Sequence, residues 1–296
     1  MAGKRLLFKP NTLHPGESGV LTEITPAQAG WNFAGLKILR LGVAEFYAGE
    51  TGSDEVVLVV LSGKADVKTA QDQFLNVGGR RTVFEGLPFA VYLPPGTRFS
   101  IYANTQLEVA LASAALGSLN GNLPPVKARL IEPYQVEVEE RGDANASRTI
   151  HHVIKPEFRA HKIMVVEVLT PSGNWSSYPP HKHDVHNPPD EVDLEEIYYY
   201  RIDGMGGFAV QRVYTPDRRL DETLTVYDGD VVLVPEGYHP VVAAHGYWVY
   251  YLNILAGSAR SMAASDDPDY AWVRKIWRTR KAQSQGRSGA SSDLSR

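Results

Sequence analysis

The histidines of this chain are concentrated in its second half. Eight of the nine lie between His151 and His245, and only His14 falls outside that range. Within it, His181 and His183 are two residues apart, and on a β-strand this spacing points both rings to the same face, roughly 7 Å apart along the chain. Imidazole rings in this arrangement suit two ligands of one metal ion. The sequence therefore predicts a metal site in the second half.

Two later segments supply further ligand candidates. A strand pattern that opens with Glu195 and Glu196 follows a loop rich in proline and aspartate, and His239 ends a Pro-Glu-Gly-Tyr-His run. Three imidazoles and one carboxylate fill four positions of a divalent cation and leave one or two open for water or substrate. A lone histidine is more often structural than ligating, but the ordered set is much less expected by chance.

Composition narrows the chemistry and the partners. With no cysteine among 296 residues, the chain has no disulfide, thiolate zinc site or cysteine nucleophile, so any metal must bind to histidine and carboxylate. A net charge of −4 without a dominant basic block disfavours nucleic acid. The longest aliphatic run, Val56 to Leu61, is too short to cross a membrane, and the opening apolar stretch ends at Lys9 and Pro10. We expect a cytoplasmic protein without a membrane segment.

Short strands must position these residues. The 26 glycines and 19 prolines are scattered, and runs of Val, Tyr, Ile and Leu lie between them, which predicts an all-β sandwich or barrel. The best candidate for a helix is Tyr270–Trp277, after an Asp-Asp-Pro-Asp turn. The clearest predicted strands are Glu55–Leu61, Ala90–Leu93, Ile163–Leu169, Ile197–Ile202, Phe208–Tyr214, Val231–Val234 and Tyr247–Leu255.

The sequence also divides into two similar halves. A Pro-Pro-Gly turn follows the predicted strand that ends at Leu93, as a Pro-Glu-Gly turn follows the one that ends at Val234. This internal repeat predicts two β-barrels in tandem, over residues 1–142 and 143–281. Residues 282–296 are rich in Ser, Gly, Arg and Gln with few large apolar groups, so we expect a disordered tail there.

The order of the ligand candidates resembles the cupin signature, in which two histidines flank one residue and precede a glutamate, and a Pro-x-Gly turn precedes a third histidine. This resemblance implies two tandem cupin barrels of the jelly-roll type, the first degenerate because it keeps the turns without the histidines. The first motif has a longer loop before its glutamate here, and the second has one residue fewer before its histidine. The matching residues are His181, His183, Glu196, Gly204, Gly229, Pro235, Gly237 and His239.

Longer strings resemble a more specific family, the 5-deoxy-glucuronate isomerases of inositol catabolism, which are bicupins related to other uronate isomerases. The resemblance spans most of the chain and is densest from Asn145 to Trp272. It implies an enzyme that converts the aldose 5-deoxy-D-glucuronate to the ketose 5-dehydro-2-deoxy-D-gluconate with a divalent metal ion, either Zn, Mn or Fe. The matching strings run from Asn145 to His152, Tyr178 to Asp184, Glu195 to Tyr200, Gln211 to Thr215, Asp228 to Pro240 and Tyr250 to Asn253.

The resemblance also implies which acid binds the metal. Glu196 immediately precedes an Ile-Tyr-x-Tyr run, as the metal-binding glutamate does in the related uronate isomerases, so the implied ligands are His181, His183, Glu196 and His239. Alternation along the strand then puts Tyr198 on the same face as Glu196. Glu195 falls on the opposite face as a solvated or second-layer neighbour, and it stays open as the alternative ligand.

Other polar residues near the ligands are candidates for the reaction itself. The hydrogen can move as a proton through an enediol or as a metal-assisted hydride, and the sequence leaves both routes open. The substrate carboxylate calls for an arginine, although a surface ion pair is an alternative role for either candidate. Candidates for proton handling are Tyr178, Lys182, Tyr198 and Tyr214, and those for carboxylate binding are Arg148 and Arg212.

Two other functions compete with the isomerase. A cupin barrel can bind a sugar acid without turnover, and three histidines with one glutamate can also hold the iron of a dioxygenase. In every case we expect a small molecule as the partner, a uronate for the isomerase, and a homo-oligomer is a possible assembly.

Overall fold

The computed structural model describes residues 5–10, 19–117 and 124–277. All seven predicted strands are present there, with ends that differ from the predicted ones by at most three residues. The predicted helix is found over residues 272–277, two residues later than expected, because a turn occupies its first positions. The predicted tail, residues 282–296, and His14 lie outside the described residues.

The strands of the first half form a six-stranded sheet, in the order β11-β8-β5-β10-β3-β2, and a four-stranded sheet, in the order β4-β9-β6-β7. Side chains from both sheets, such as Leu58, Val91 and Ile101, share one buried core. The elements are β2 (Val20–Ile24), α1 (Pro26–Ala29), β3 (Ala34–Leu41), β4 (Phe46–Glu50), β5 (Asp54–Ser62), β6 (Lys64–Thr69), β7 (Gln73–Gly78), β8 (Ala90–Leu93), β9 (Arg98–Ala103), β10 (Leu107–Ala115) and β11 (Arg129–Ile131).

The second half repeats this plan with a seven-stranded sheet, β1-β20-β17-β22-β14-β13-β12, a four-stranded sheet, β15-β21-β18-β19, and the pair β16-β23. Short 3-10 turns occur at Pro133–Gln135 and Ala144–Ala146. The strands are β1 (Leu7–Phe8), β12 (Glu137–Arg141), β13 (Arg148–Ile154), β14 (Met164–Thr170), β15 (Trp175–Ser176), β16 (His181–Lys182), β17 (Leu194–Ile202), β18 (Ala209–Tyr214), β19 (Asp221–Val226), β20 (Val231–Val234), β21 (Val241–Ala243), β22 (Val249–Gly257) and β23 (Ser265–Asp266).

We call strands β2 to β11 the first barrel, and β1 with β12 to β23 the second barrel. Two short strands from the N-terminal side of residue 142 belong to the second barrel: β1 pairs with β20, and β12 pairs with β13. The division of the chain at residue 142 stays a prediction, whereas the hydrogen bonding shows that β1 and β12 extend the larger sheet of the second barrel at its two edges.

The two large sheets pack against each other through their outer faces. One buried cluster contains Val57 and Tyr92 of the first barrel together with Ile197 and Ile254 of the second. Because side chains alternate along a strand, the residues between these positions point into the barrels instead. In β17, Tyr198 and Tyr200 therefore belong to the core of the second barrel, while Ile197 and Tyr199 face the first.

A buried ion pair crosses this interface. Glu167, on β14, is fully buried and accepts hydrogen bonds from Arg80 of the first barrel at 2.5 and 3.1 Å and from Tyr250 at 2.9 Å. Burial acts to raise the pKa of Glu167, but the charge of Arg80 and the bond to His151 outweigh it and lower that pKa. The interface is thus held by charge as well as by apolar packing.

Among the residues that the structure describes, no helix is long and apolar enough to cross a membrane.

Candidate metal centre

Three of the four predicted ligands meet inside the second barrel. Ligand atoms of His183, Glu196 and His239 all lie within 4.8 Å of one another, and all three residues are buried. Oε2 of Glu196 lies 3.0 Å from Nε2 of His183 and 3.1 Å from Nε2 of His239. Three segments distant in sequence supply them: His183 follows β16, Glu196 lies near the start of β17, and His239 follows the turn after β20.

Backbone carbonyls orient both imidazoles. Nδ1 of His183 donates to the carbonyl of Leu194 at 3.1 Å, and Nδ1 of His239 donates to the carbonyl of Gly237 at 2.9 Å. Each Nε2 is thereby directed at the Glu196 carboxylate. Nε2 of His183 forms a hydrogen bond with Oε2, whereas Nε2 of His239, although it lies 3.1 Å from the same oxygen, is buried without a hydrogen bond in the part of the chain that the structure describes. Lone pairs that converge on a carboxylate are stabilised only by a proton or a cation between them. The arrangement is the one that metal-binding histidines adopt.

His181 borders this group. Its ring centroid lies 4.9 Å from that of His239 and 6.4 Å from that of His183, and its Nδ1 lies 3.4 Å from the carbonyl of Pro179. Burial and the two neighbouring histidines lower the pKa of His181 well below its ordinary value, so the ring is neutral, as a metal ligand must be. His181 is partly exposed, whereas the other three predicted ligands are buried.

A residue that the sequence did not single out holds the other oxygen of Glu196. Nδ2 of Asn253, on β22, donates to Oε1 of Glu196. Burial alone would raise the pKa of Glu196, but His239 and His183 lower it far below its ordinary range, so the carboxylate is charged. Asn253 points inward between Tyr251 and Leu255. In the sequence, a polar residue within an apolar strand was the signal that could have identified it.

The turn before His239 depends on a glycine. Gly237 has a φ of +87°, and a Cβ there would lie 2.4 Å from the carbonyl oxygen of Tyr214. Its N–H donates to Asp184 at 2.7 Å, while its carbonyl accepts from His239. The positive φ and the close approach of the Tyr214 carbonyl together require glycine at this position of the turn.

Tyr198 lies beside the histidines as predicted. Its ring centroid is 6.0 Å from that of His239, and its hydroxyl lies 3.1 Å from Oγ of Ser177. Burial, reinforced by the charge of Glu196, raises the pKa of Tyr198 well above its ordinary value. At neutral pH the hydroxyl therefore keeps its proton and can donate a hydrogen bond.

Arg148 is buried, which corrects its alternative interpretation as a surface ion pair. The guanidinium donates to the backbone carbonyls of Ala146 and Tyr178, both at 3.2 Å, and it has no carboxylate partner within the described part of the chain. Burial lowers its pKa to about 10, so it remains charged at neutral pH. The bond to the carbonyl of Tyr178 ties Arg148 to the segment that leads into His181.

The other arginine and the lysine are engaged elsewhere. Arg212 forms a bidentate pair with Asp221 at 2.7 and 2.6 Å on the outer face of β18, so the surface ion pair is its observed role. Nζ of Lys182 lies 2.6 Å from Asp184 and 2.8 Å from Glu191. Because Lys182 lies between two histidines on an extended segment, its side chain points away from them. These contacts do not support the predicted roles of Arg212 and Lys182.

Tyr178 and Tyr214 also lie outside the histidine group. Together with Arg212 they line a cavity of about 250 Å³ against the outward side chains of β18 and β21. The hydroxyl of Tyr214 donates to Asp267 at 2.7 Å, and the ring of Tyr178 packs against Trp175 with a centroid separation of 5.3 Å. The contacts of both tyrosines are structural, because each is used in packing this outer surface.

Glu195 does not lie at the metal group. Its carboxylate accepts hydrogen bonds from the backbone N–H groups of Asn32, Phe33 and Ala34 in the first barrel. Glu195 is therefore not the solvated residue that one of its two predicted roles required, because its carboxylate is bound at the interface between the barrels. The choice of Glu196 as the inward-facing acid agrees with this geometry.

Comparison with known proteins places these features in a family. The KduI/IolB family matches residues 6–273 of the chain. A protein from Geobacillus thermodenitrificans named 5-deoxy-glucuronate isomerase is 47% identical over 260 residues, which cover 88% of this chain and 93% of that protein. The protein of the same name from Bacillus subtilis is 40% identical over 272 residues, which cover 90% of this chain and 98% of that protein.

Solved structures agree with this assignment. The crystal structure of an IolB-like protein from Salmonella typhimurium has a TM-score of 0.85 and 39% identity, and the match covers 91% of this chain and 99% of that one. Oxalate decarboxylase from Bacillus subtilis has a TM-score of 0.60 at 17% identity, covering 90% of this chain and 80% of that one, a likeness of fold alone. The predicted tandem cupin fold is confirmed. The chain belongs to the KduI/IolB family, and it is an isomerase.

Proposed function

We propose that the chain is a metal-dependent aldose–ketose isomerase that converts 5-deoxy-D-glucuronate to 5-dehydro-2-deoxy-D-gluconate in inositol catabolism. The names of relatives that are 40 to 47% identical support this substrate. The observation that carries the metal dependence is the buried group of His183, Glu196 and His239, in which Nε2 of His239 lacks a hydrogen-bond partner.

The residues of this group fit a divalent cation. Two imidazoles and a carboxylate suit Zn, Mn or Fe, and His181 is the fourth candidate because its ring lies against that of His239. When bound, such a cation polarises a carbonyl and acidifies a neighbouring hydroxyl as a Lewis acid. The protein holds the first ligands in place through the carbonyls of Leu194 and Gly237 and the amide of Asn253.

Arg148 supplies a charge for the other end of the substrate. A buried guanidinium without a carboxylate partner is costly unless an anion pairs with it, and a uronate carries a carboxylate that matches the guanidinium fork. In this proposal Arg148 binds the carboxylate of the sugar acid, and the histidine group binds its carbonyl end.

The isomerisation moves one hydrogen from C2 to C1 and one proton from the C2 oxygen to the C1 oxygen. Tyr198 is protonated at neutral pH and lies beside His239, so its hydroxyl can donate a hydrogen bond to a substrate oxygen. Ser177, 3.1 Å from that hydroxyl, fixes its direction. Both the enediol route and the hydride shift use such a donor at the oxygen that gains the proton.

The test compares the purified wild type with Glu196→Gln. Wild type should contain a divalent metal by elemental analysis and convert 5-deoxy-D-glucuronate to a product of equal mass under argon, followed by NMR. Glu196→Gln should lose metal and turnover while it stays folded. Glu137→Gln, at an exposed glutamate that pairs with Lys155, is the matched control and should behave like wild type. Full turnover by a metal-stripped wild type would reject the proposed metal dependence.

A further inference from the structure

Glu195 connects the metal-bearing strand to the other barrel. Its carboxylate accepts three hydrogen bonds from consecutive backbone N–H groups of Asn32, Phe33 and Ala34, at 2.6, 2.8 and 2.9 Å. Ala34 is the first residue of β3, so the carboxylate caps the start of a strand in the first barrel. Hydrogen bonds to an ionised acceptor are roughly twice as strong as neutral ones, so three of them hold the position of Glu195 firmly.

Glu55 makes the reciprocal contact in the opposite direction. This fully buried carboxylate accepts hydrogen bonds from the consecutive N–H groups of His161, Lys162 and Ile163 at 2.8, 2.5 and 2.6 Å, immediately before β14 of the second barrel. Glu55 is the second residue of β5, as Glu195 is the second residue of β17. The two contacts therefore correspond in position, although Glu55 is fully buried and also accepts a hydrogen bond from Tyr92 at 2.8 Å, whereas Glu195 is partly exposed.

The residue after each glutamate differs. Val56 follows Glu55 and points into the apolar core of the first barrel, whereas Glu196 follows Glu195 and points to His183 and His239. One planar peptide separates the two glutamates, so a shift of Glu195 is transmitted to the Cα of Glu196. On the other side of Glu195, the chain between β16 and β17 is a loop rather than a paired strand. The contact with the first barrel thus adds a constraint at this strand end to its pairing with β22 and β20.

We propose that Glu195 is a positioning residue for the metal centre. Through Glu195, the first barrel helps to hold the end of β17 that carries Glu196. This inference rests on the proposed function, since it requires a metal at Glu196. The Glu195 carboxylate bonds to the first barrel rather than to Glu196 and acts on that ligand through the backbone, and we expect its loss to weaken metal affinity by about the 10-fold that is the lower end for residues supporting a metal ligand. The same substitution at Glu55 disturbs the interface at least as much, because Glu55 is more buried, but Val56 beside it is not a ligand candidate.

The experiment measures the dissociation constant for Zn²⁺ of wild type, Glu195→Gln and Glu55→Gln by competition with a chromophoric chelator, and their stability by urea unfolding. Both variants should lose stability, because an amide replaces a carboxylate that faces three N–H donors. Only Glu195→Gln should bind Zn²⁺ more weakly, by about tenfold or more. Glu55→Gln should stay within about twofold of wild type.

The outcomes separate this inference from the function on which it rests. Equal Zn²⁺ affinity in the two variants, whether unchanged or weakened alike, would overturn the positioning role of Glu195 and leave the proposed function standing. A wild type that binds no Zn²⁺, Mn²⁺ or Fe²⁺ would overturn both. If either Gln variant fails to fold, Glu195→Asp and Glu55→Asp repeat the comparison with the charge retained and the reach shortened.

Discussion

The two barrels share a backbone plan but differ in what fills them. In the first barrel, Leu58 of β5 lies opposite Leu111 of β10, and the interior is a continuous apolar cluster. At the corresponding place in the second barrel, Tyr198 of β17 lies opposite Asn253 of β22. Val56 corresponds to Glu196 in the same way. Corresponding strands thus form a packed apolar core in the first barrel and the candidate metal site in the second.

Polar side chains inside a barrel need hydrogen-bond partners, and most of those in the second barrel have one. The hydroxyl of Tyr200 donates to Gln211, and that of Tyr251 contacts Ser176. Within the described residues, buried atoms of Thr170, Gln211 and His239 in this barrel have no hydrogen bond. Buried polar atoms are normally paired, and of these three only Nε2 of His239 faces the Glu196 carboxylate, where the proposed cation would bind. Packing and chemistry are therefore divided between the barrels, and the division can be tested residue by residue.

Loss of His239 should have the largest effect, and it should appear in the activity of the second barrel. His239→Ala removes one buried ligand candidate, and we expect kcat/KM for 5-deoxy-D-glucuronate to fall by about a thousandfold, which corresponds to about 4 kcal/mol of lost Lewis-acid stabilisation. Steady-state kinetics measure the loss, and circular dichroism checks that the barrels remain folded. An activity within tenfold of wild type would show that the second barrel does not depend on this histidine.

The contact between the barrels should be the next most sensitive feature. Arg80→Met leaves Glu167 buried without its main partner, so the free energy of unfolding should fall by about 3 to 5 kcal/mol. Urea unfolding measures this change. Arg81→Met is the control, because Arg81 is almost fully exposed and pairs only with its neighbour on the surface, Glu85. Equal stability of the two variants would show that the buried pair does not hold the barrels together.

Substitution of Arg148 should weaken substrate binding without a comparable loss of stability. Arg148→Met removes a buried charge that has no carboxylate partner among the described residues. That relief offsets the loss of its bonds to two backbone carbonyls, so the free energy of unfolding should change by no more than about 1 kcal/mol. The KM for 5-deoxy-D-glucuronate should rise at least about tenfold, because a charge-assisted bond to the substrate carboxylate contributes roughly 1.5 to 3 kcal/mol. A variant that keeps its KM would exclude Arg148 from substrate binding.

The interface pair also predicts a pH dependence. The pKa of Glu167 is lowered in the folded state, so its pairing stabilises the fold above its ordinary pKa of 4.5 and that contribution is lost as the pH falls below this value. In Arg80→Met, burial without the arginine raises the pKa of Glu167 instead. The stability difference between wild type and Arg80→Met should therefore narrow from pH 7 to pH 4, measured by urea unfolding at each pH. A constant difference would contradict the ion pair.

Much of this division was visible in the sequence. The alternation of β17 predicted that Glu196 and Tyr198 share a face, and the His-x-His spacing with the Pro-x-Gly-x-His turn identified the residues that the second barrel brings together. Those signals are local, since strand alternation and turn chemistry act over a few residues. The repeated turn likewise predicted two barrels.

Interactions between distant segments left no such signal. Glu195 binds the first barrel, and Asn253 reaches Glu196 from a neighbouring strand. The backbones of Tyr214 and Arg212 bond to Tyr238 and Pro240, on either side of His239, yet their side chains point outward. Which face a residue takes at such places depends on sheet pairing, which sequence spacing does not specify.

The smallest effect should come from the position in the first barrel that corresponds to His239. Arg98 follows the Pro-Pro-Gly turn as His239 follows the Pro-Glu-Gly turn, but its side chain is 84% exposed and lies 3.4 Å from Glu50. Arg98→Ala should change kcat/KM less than twofold and stability by less than about 0.5 kcal/mol, because exposed pairs contribute little. The same assays used for His239→Ala measure both. A large loss of activity would mean that the first barrel takes part in the chemistry, and the two barrels would then not be divided as their interiors indicate.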